Sequence, residues 1–168
     1  MPSSAGLSAA LVLVAALAIT SPASAGFSVT STATPGFSVT LTGADQTGGY
    51  TMPLTVDNSG LGSSLSGWNL TVSSTQFATG GGRTLSANAS TITGVSSACA
   101  SVCVTNPTNS VTYPLALPVG SAAKFFNASS ATGIGTFTVT PSVNVAVPAN
   151  AYAGSYTGTL TVSLVAGP

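Results

Sequence analysis

Two stretches of this chain alternate hydroxylated and apolar residues with a period of two. They are Thr136-Phe137-Thr138-Val139-Thr140 and Thr157-Gly158-Thr159-Leu160-Thr161-Val162-Ser163-Leu164. In an extended strand successive side chains point to opposite faces, so each stretch presents one apolar and one hydroxyl face. The apolar face must be covered, and β-branched residues pack well on a pleated surface. The strand candidates are 37–42, 50–56, 67–73, 90–94, 111–117, 135–147 and 155–165. Turn signals between them include Gly48-Gly49, Gly80-Gly81-Gly82, Asn106-Pro107 and Ala153-Gly154. Downstream of residue 25 no segment holds a helical 3.6 period. Regular short strands with Gly/Pro turns indicate a sandwich or a barrel, and we take a two-layer antiparallel β-sandwich of Ig-like, Greek-key type. Pro53 and Pro141 interrupt candidates, which predicts edge positions or bulges. Segment 26–35 reads either as a first edge strand or as a loose arm.

Charge is almost absent. Among 168 residues there are two basic and two acidic side chains (Arg83, Lys124, Asp45 and Asp57) and no histidine. Disorder would require low hydrophobicity, whereas the chain is 44% hydrophobic with a mean hydropathy of +0.54, so it should fold. Two basic residues cannot supply the phosphate contacts that nucleic-acid binding draws on, nor a polybasic membrane contact. Without histidine no Ser-His or Cys-His nucleophile can be assembled. Asp45 and Asp57 are the only carboxylates a glycosidase could use, and a pair taken from so small a set reads as two solvated aspartates. Asp57-Asn58-Ser59 reads as a turn cap rather than a calcium ligand set. Two cysteines without histidine fall short of a zinc site. Lys124 beside Phe125 and Phe126 could join an intramolecular lysine–asparagine crosslink, but a surface lysine lying over apolar neighbours accounts for it better. The expectation is a protein that is not an enzyme and carries no cofactor or metal, with a surface of neutral hydrogen-bonding groups.

Near the N-terminus stands an apolar run from Leu11 to Ile19, followed by Ala23-Ser24-Ala25, an A-x-A-like cleavage site. This pattern is that of a secretory signal peptide, although no Lys or Arg precedes the run. An uncleaved membrane anchor is the alternative, but a spanning helix needs ~20 apolar residues and the run is shorter. We therefore expect a leader over 1–25 and a single domain over 26–168, secreted and without a membrane anchor once cleaved. In an exported protein the lone pair Cys99 and Cys103 reads as a disulfide, a local staple on a short loop.

Further stretches carry a resemblance. Gly67-Trp68-Asn69-Leu70-Thr71-Val72-Ser73 opens a strand with W-x-L, and Tyr156 to Pro168 is similar to a closing Y-x-x-x-L-T-W-x-L-x-x-x-P. Between them lie Phe126-Asn127-Ala128, Thr132-Gly133-Ile134-Gly135-Thr136-Phe137 and Val147-Pro148-Ala149-Asn150-Ala151, in the right order. Together they resemble the WxL domain of Gram-positive surface proteins, with Val162 where that family usually carries tryptophan. The resemblance implies non-covalent association with peptidoglycan or another wall polysaccharide at the cell surface, with other surface proteins as further partners. It points to Trp68, Asn69, Leu70, Tyr156, Leu160 and Leu164 as wall-contact residues. The lone tryptophan reads first as core, in phase with Leu70 and Val72, with a platform for sugar rings as the functional alternative. The second functional reading is a subunit of an extracellular fibre or surface layer assembling through strand edges.

Overall fold

Both alternating segments are long strands inside their sheets, and the other strands are laid around them. The computed structural model describes residues 9–22, 24–60 and 65–168, and among these every regular element is a β-strand. The first sheet runs in the order β3 (Gly36–Thr40), β1 (Ala10–Thr20), β11 (Gly154–Ala166), β6 (Trp68–Ser74) and β9 (Ala123–Ala128). The second runs β2 (Phe27–Thr30), β5 (Leu54–Asn58), β10 (Ile134–Val147), β7 (Ser90–Thr105) and β8 (Leu115–Ala116). Strand β4 (Gln46–Thr51) also pairs with β10, beyond the end of β5. The expected two-layer β-sandwich is present. Its pairings are antiparallel except for one, the parallel pair β1–β11.

The core lies between the inward phases of the two sheets. Trp68, Leu70 and Val72 of β6 and Tyr156, Leu160 and Val162 of β11 belong to the same buried cluster as Phe137, Val139, Val143 and Val145 of β10. A fully buried side chain of this kind contributes about 1.5–3 kcal/mol through burial. The outward phases carry Thr, Ser and Asn, so the two-residue period of the sequence is the two-sidedness of the sandwich.

Several local expectations are corrected. Pro141 lies inside β10, a central strand, rather than at an edge. It sits where β10 passes from pairing with β5 at Val139↔Leu54 to pairing with β4 at Ser142↔Thr51. There Met52 N–H donates to the Pro141 carbonyl at 3.2 Å, and the reciprocal bond has no donor because proline has no N–H. Pro53 occupies the matching break between β4 and β5. Gly48-Gly49 forms no turn but lies within β4, where a Cβ on Gly48 would come within 1.8 Å of the Phe37 ring. Glycine lets that ring lie flat on the strand. Segment 26–35 provides the edge strand β2. Strand β9 was not anticipated, and candidate 111–117 is reduced to the two residues of β8.

Strand β7 extends far beyond its predicted 90–94, to 16 residues, and takes in both cysteines. Opposite it, Gly135 pairs with Cys103 and Phe137 with Cys99, so three residues of β7 face one of β10. The Cys99–Cys103 disulfide closes this bulge, with Cα atoms 6.0 Å apart. The staple is as local as expected, though it sits within a strand.

The N-terminal segment also has a place in the sandwich. The apolar run expected as a leader forms β1, with Leu11, Leu13 and Ala15 buried and Val12 and Val14 outward. A short apolar run is compatible with helix or buried strand, and here its alternate positions meet the core. Residues 1–8 and Ala23 of the cleavage pattern lie outside the described residues. No helix of the described residues is long and apolar enough to cross a membrane.

Two measurements check these features. Replacing both cysteines by serine should leave a folded protein, because so short a loop contributes at most ~2 kcal/mol of chain entropy; urea unfolding reads the loss. Tyr50 is buried with its hydroxyl unpartnered, and burial raises its pKa well above the usual 10. Burial also raises the pKa of Tyr113, partly offset by a hydrogen bond from Asn109. The folded state thus holds these protons more tightly than the unfolded chain. Stability should be full below pH 10, the ordinary tyrosine value, and decline as pH rises above it. Tyr50→Phe should flatten that decline without lowering stability at neutral pH, since it removes an unsatisfied buried group worth ~1–3 kcal/mol.

Candidate functional site at the corner between β10 and β11

The W-x-L strand begins at a glycine turn and points its tryptophan into the sandwich. Trp68 is fully buried, 5.6 Å from the Phe126 ring by centroid. Its indole Nε1–H donates to the Gly133 carbonyl at 2.9 Å, and Asn58 Nδ2 of the opposite sheet donates to the same oxygen at 2.9 Å. Gly133 has φ +64°, and a Cβ there would lie 2.7 Å from Ala128 Cβ and 2.8 Å from Trp68 Nε1. Three of the resembling segments therefore meet at one point, through Trp68, Ala128 and Gly133.

The closing motif is equally interior. Tyr156, Leu160, Val162 and Leu164 form the inward phase of β11, each at most 3% exposed. Gly158 shares that phase, and the space a side chain would take is filled by the Phe77 ring, 2.7 Å from its ideal Cβ. Val162 pairs with Val72, so the position that departs from the family pattern is a core position. Asn69 is half-buried, and its Nδ2 donates to the Gly167 carbonyl at 2.8 Å, fastening the end of β11 to β6. Of the residues expected to touch wall material, Trp68, Leu70, Tyr156, Leu160 and Leu164 thus offer no face to a ligand in the folded chain. Burial of their apolar area is the physical reason.

The surface offers a different set. The chain has one Trp, four Tyr and six Phe, and among them only Tyr152 is exposed, at 54%. It stands in the connection between β10 and β11, where Ala151 N–H closes a turn on the Pro148 carbonyl at 2.9 Å. Asp45 Oδ1 accepts the Ala149 N–H at 2.8 Å, drawing the connection between β3 and β4 against this corner. The Arg83 guanidinium lies 3.8 Å from the Tyr152 ring centroid, a cation–π contact worth about 0.5–1 kcal/mol at an exposed site. Arg83 is held by a turn in which its N–H donates to Thr79 Oγ1 at 3.1 Å and its carbonyl accepts Thr79 N–H at 2.8 Å.

Two concavities meet at Pro148. One, of about 300 Å³, is lined by Arg83, Thr84, Asn150 and Tyr152; the other, of about 360 Å³, by Asp45, Gln46, Thr47 and Ser86. Neutral donors and acceptors, one aromatic face, one cation and one anion suit a polar, hydroxyl- and amide-bearing ligand. The corner holds no nucleophile paired with a base. Asp57 lies elsewhere, accepting Ser59 N–H at 3.1 Å as a turn cap, with Thr136 Oγ1 at 3.4 Å. Position 136 and the corner at 147 are separated by roughly 35 Å of β10, so the two aspartates cannot work as a pair. Lys124 is exposed at the β9 edge. Tyr152 was missed in the sequence because nothing in its neighbours marks it as outward, although the adjoining Val147–Ala151 run and Ala153-Gly154 turn were both noted.

The signature residues of this two-sheet sandwich are packing residues. A family model described as "WxL domain surface cell wall-binding" matches residues 28–168, and the chain belongs to that family. No curated protein matches the chain significantly. Membership makes this a surface protein that binds the cell wall.

The meeting point at Gly133 is open to test. Gly133→Ala forces a side chain into the left-handed region and against Trp68, and should cost about 2–4 kcal/mol. Trp68→Phe should cost about 1–3 kcal/mol through the lost hydrogen bond and volume. Because the two changes share one contact, the double variant should lose less than the sum, read from urea unfolding.

Proposed function

We propose that the protein is exported with loss of residues 1–25 and is held on peptidoglycan or another wall polysaccharide by non-covalent contacts at the corner between β10 and β11. The observation that carries this reading is Tyr152. It is the single exposed aromatic of the chain, flanked by Arg83, Thr84 and Asn150 over a concavity. A tyrosine ring covers sugar C–H faces at small entropic cost while neighbouring amides and hydroxyls fix orientation. Family membership supports the wall as the ligand, and the sparse charge supports attachment through neutral contacts.

The test uses isolated cell walls and the exported protein. Tyr152 is exposed, so Tyr152→Ala should leave stability nearly unchanged, whereas Trp68→Ala removes a core side chain at ~3–5 kcal/mol and cannot report on contact. Tyr152→Ala should weaken wall binding about tenfold or more, the behaviour of an aromatic anchor. Wild-type binding should persist in ~1 M salt, where the screening length is about 3 Å. Undiminished binding by folded Tyr152→Ala moves the contact elsewhere, and wash-off of the wild type in moderate salt rejects neutral attachment.

A further inference from the structure

Strand β1 fills a gap that the rest of the sandwich leaves in its first sheet. It pairs parallel with β11 over ten positions, from Leu11↔Gly154 to Thr20↔Ser163, and antiparallel with β3 over five. Its inward residues stand beside the inward residues of β11: Leu13 against Tyr156, Ala15 against Gly158, Leu17 against Leu160. Yet the same residues carry the leader pattern, and the family match begins only at residue 28. The shared domain thus consists of β3 to β11 with most of β2, and without β1. Removing β1 would leave β3 and β11 separated by one strand width, with unpaired backbone on both edges and the flank of the core beside β11 uncovered.

We infer that in the exported protein this gap is an acceptor site for an uncharged extended strand of a different surface polypeptide, bound parallel to β11 with aliphatic side chains at alternate positions. The inference rests on the export proposed above. The chemistry of the occupant follows from β1, which shows what the gap accepts: Leu, Leu, Ala, Leu and Ile inward, with no charge on β1, β3 or β11. That the occupant comes from another chain follows from the topology. The long alternating strands downstream of residue 25, β10 and β11, are already committed to this molecule's own sheets. The segment that fits the gap is the one cleavage removes. Strand addition of this kind takes affinity from main-chain hydrogen bonds and specificity from alternate side-chain pockets. Tyr156 and Leu160, which the sequence marked as contact residues, would then line a binding surface through the gap rather than through the outer face.

The exported protein is isolated from the cell surface and its intact mass measured. The probe is a peptide of residues 10–20 with lysines added at both ends for solubility, beside a control whose apolar positions are shifted by one residue. The expected results are a mass lacking residues 1–25 and saturable one-to-one binding of the in-phase peptide. Bound peptide should slow hydrogen exchange of the β11 amides. A one-residue slip turns every inward side chain outward, so the control should bind at least about tenfold more weakly. A mass that retains residues 10–20 defeats the leader reading itself, whatever the gap can bind. A cleaved protein that binds neither peptide, or both equally, overturns the acceptor site while leaving export standing. A cleaved protein that self-associates with the gap already filled overturns the assignment to a different chain.

Discussion

The Gly133 carbonyl is the point on which the arrangement of the two sheets turns. It accepts the indole N–H of Trp68 from one sheet and the amide of Asn58 from the other, both at 2.9 Å. A buried carbonyl has two lone pairs, and leaving either donor without its acceptor would cost about 1–3 kcal/mol. The position must be glycine, because positive φ and the closeness of Ala128 and Trp68 leave no room for Cβ. From this contact the register of β6 follows, and with it the inward direction of Leu70 and Val72. The 5.6 Å contact of Trp68 with Phe126 then sets β9 against β6. A tryptophan, a glycine and an asparagine from three separate segments thus act as one unit.

The scarcity of charge shapes everything outside that core. With four charged side chains in 168 residues, most of the polar groups the chain can present are Ser, Thr and Asn. Many of these hydroxyls and amides are already used internally. Asn127 Oδ1, for example, accepts Ser110 N–H at 2.9 Å, while Asn109 Oδ1 accepts Asn127 N–H at 3.0 Å. These neutral bonds fasten the connection before β8 to β9 without any ion pair. The two charges at the corner, Asp45 and Arg83, are committed as well, one to a backbone amide and the other to the Tyr152 ring.

The sandwich, its long central strands and the local disulfide could be read directly, because period-two alternation and cysteine spacing are local signals. What could not be read was non-local. Gly48-Gly49 carries the residue types of a turn, yet its conformation is set by a Phe37 ring eleven residues away in sequence. Pro141 lies in a central strand because the partner strand changes from β5 to β4 opposite it, which no neighbour of Pro141 records. Alternation in β7 ends near residue 94 because its continuation is a stapled bulge. At the site, the sequence identified the family from residues that turn out to be interior. Outwardness of a single tyrosine in a loop is a tertiary property.

The interior location of the signature has a consequence for how wall binding can vary. Residues that fix Trp68, Gly133 and the inward phase of β11 specify a scaffold, and any change among them is felt as lost packing before it is felt as lost contact. Val162 illustrates the tolerance that remains: a smaller side chain than the family's usual tryptophan sits fully buried against Val72. Loops that project from such a scaffold are under no comparable restraint. The connection between β10 and β11 hangs from two central strands, one in each sheet. Its chemistry can nevertheless change without cost to the fold. If the corner is the wall contact, as proposed, its side chains can be replaced to suit a ligand while the buried W-x-L motif keeps the scaffold unchanged.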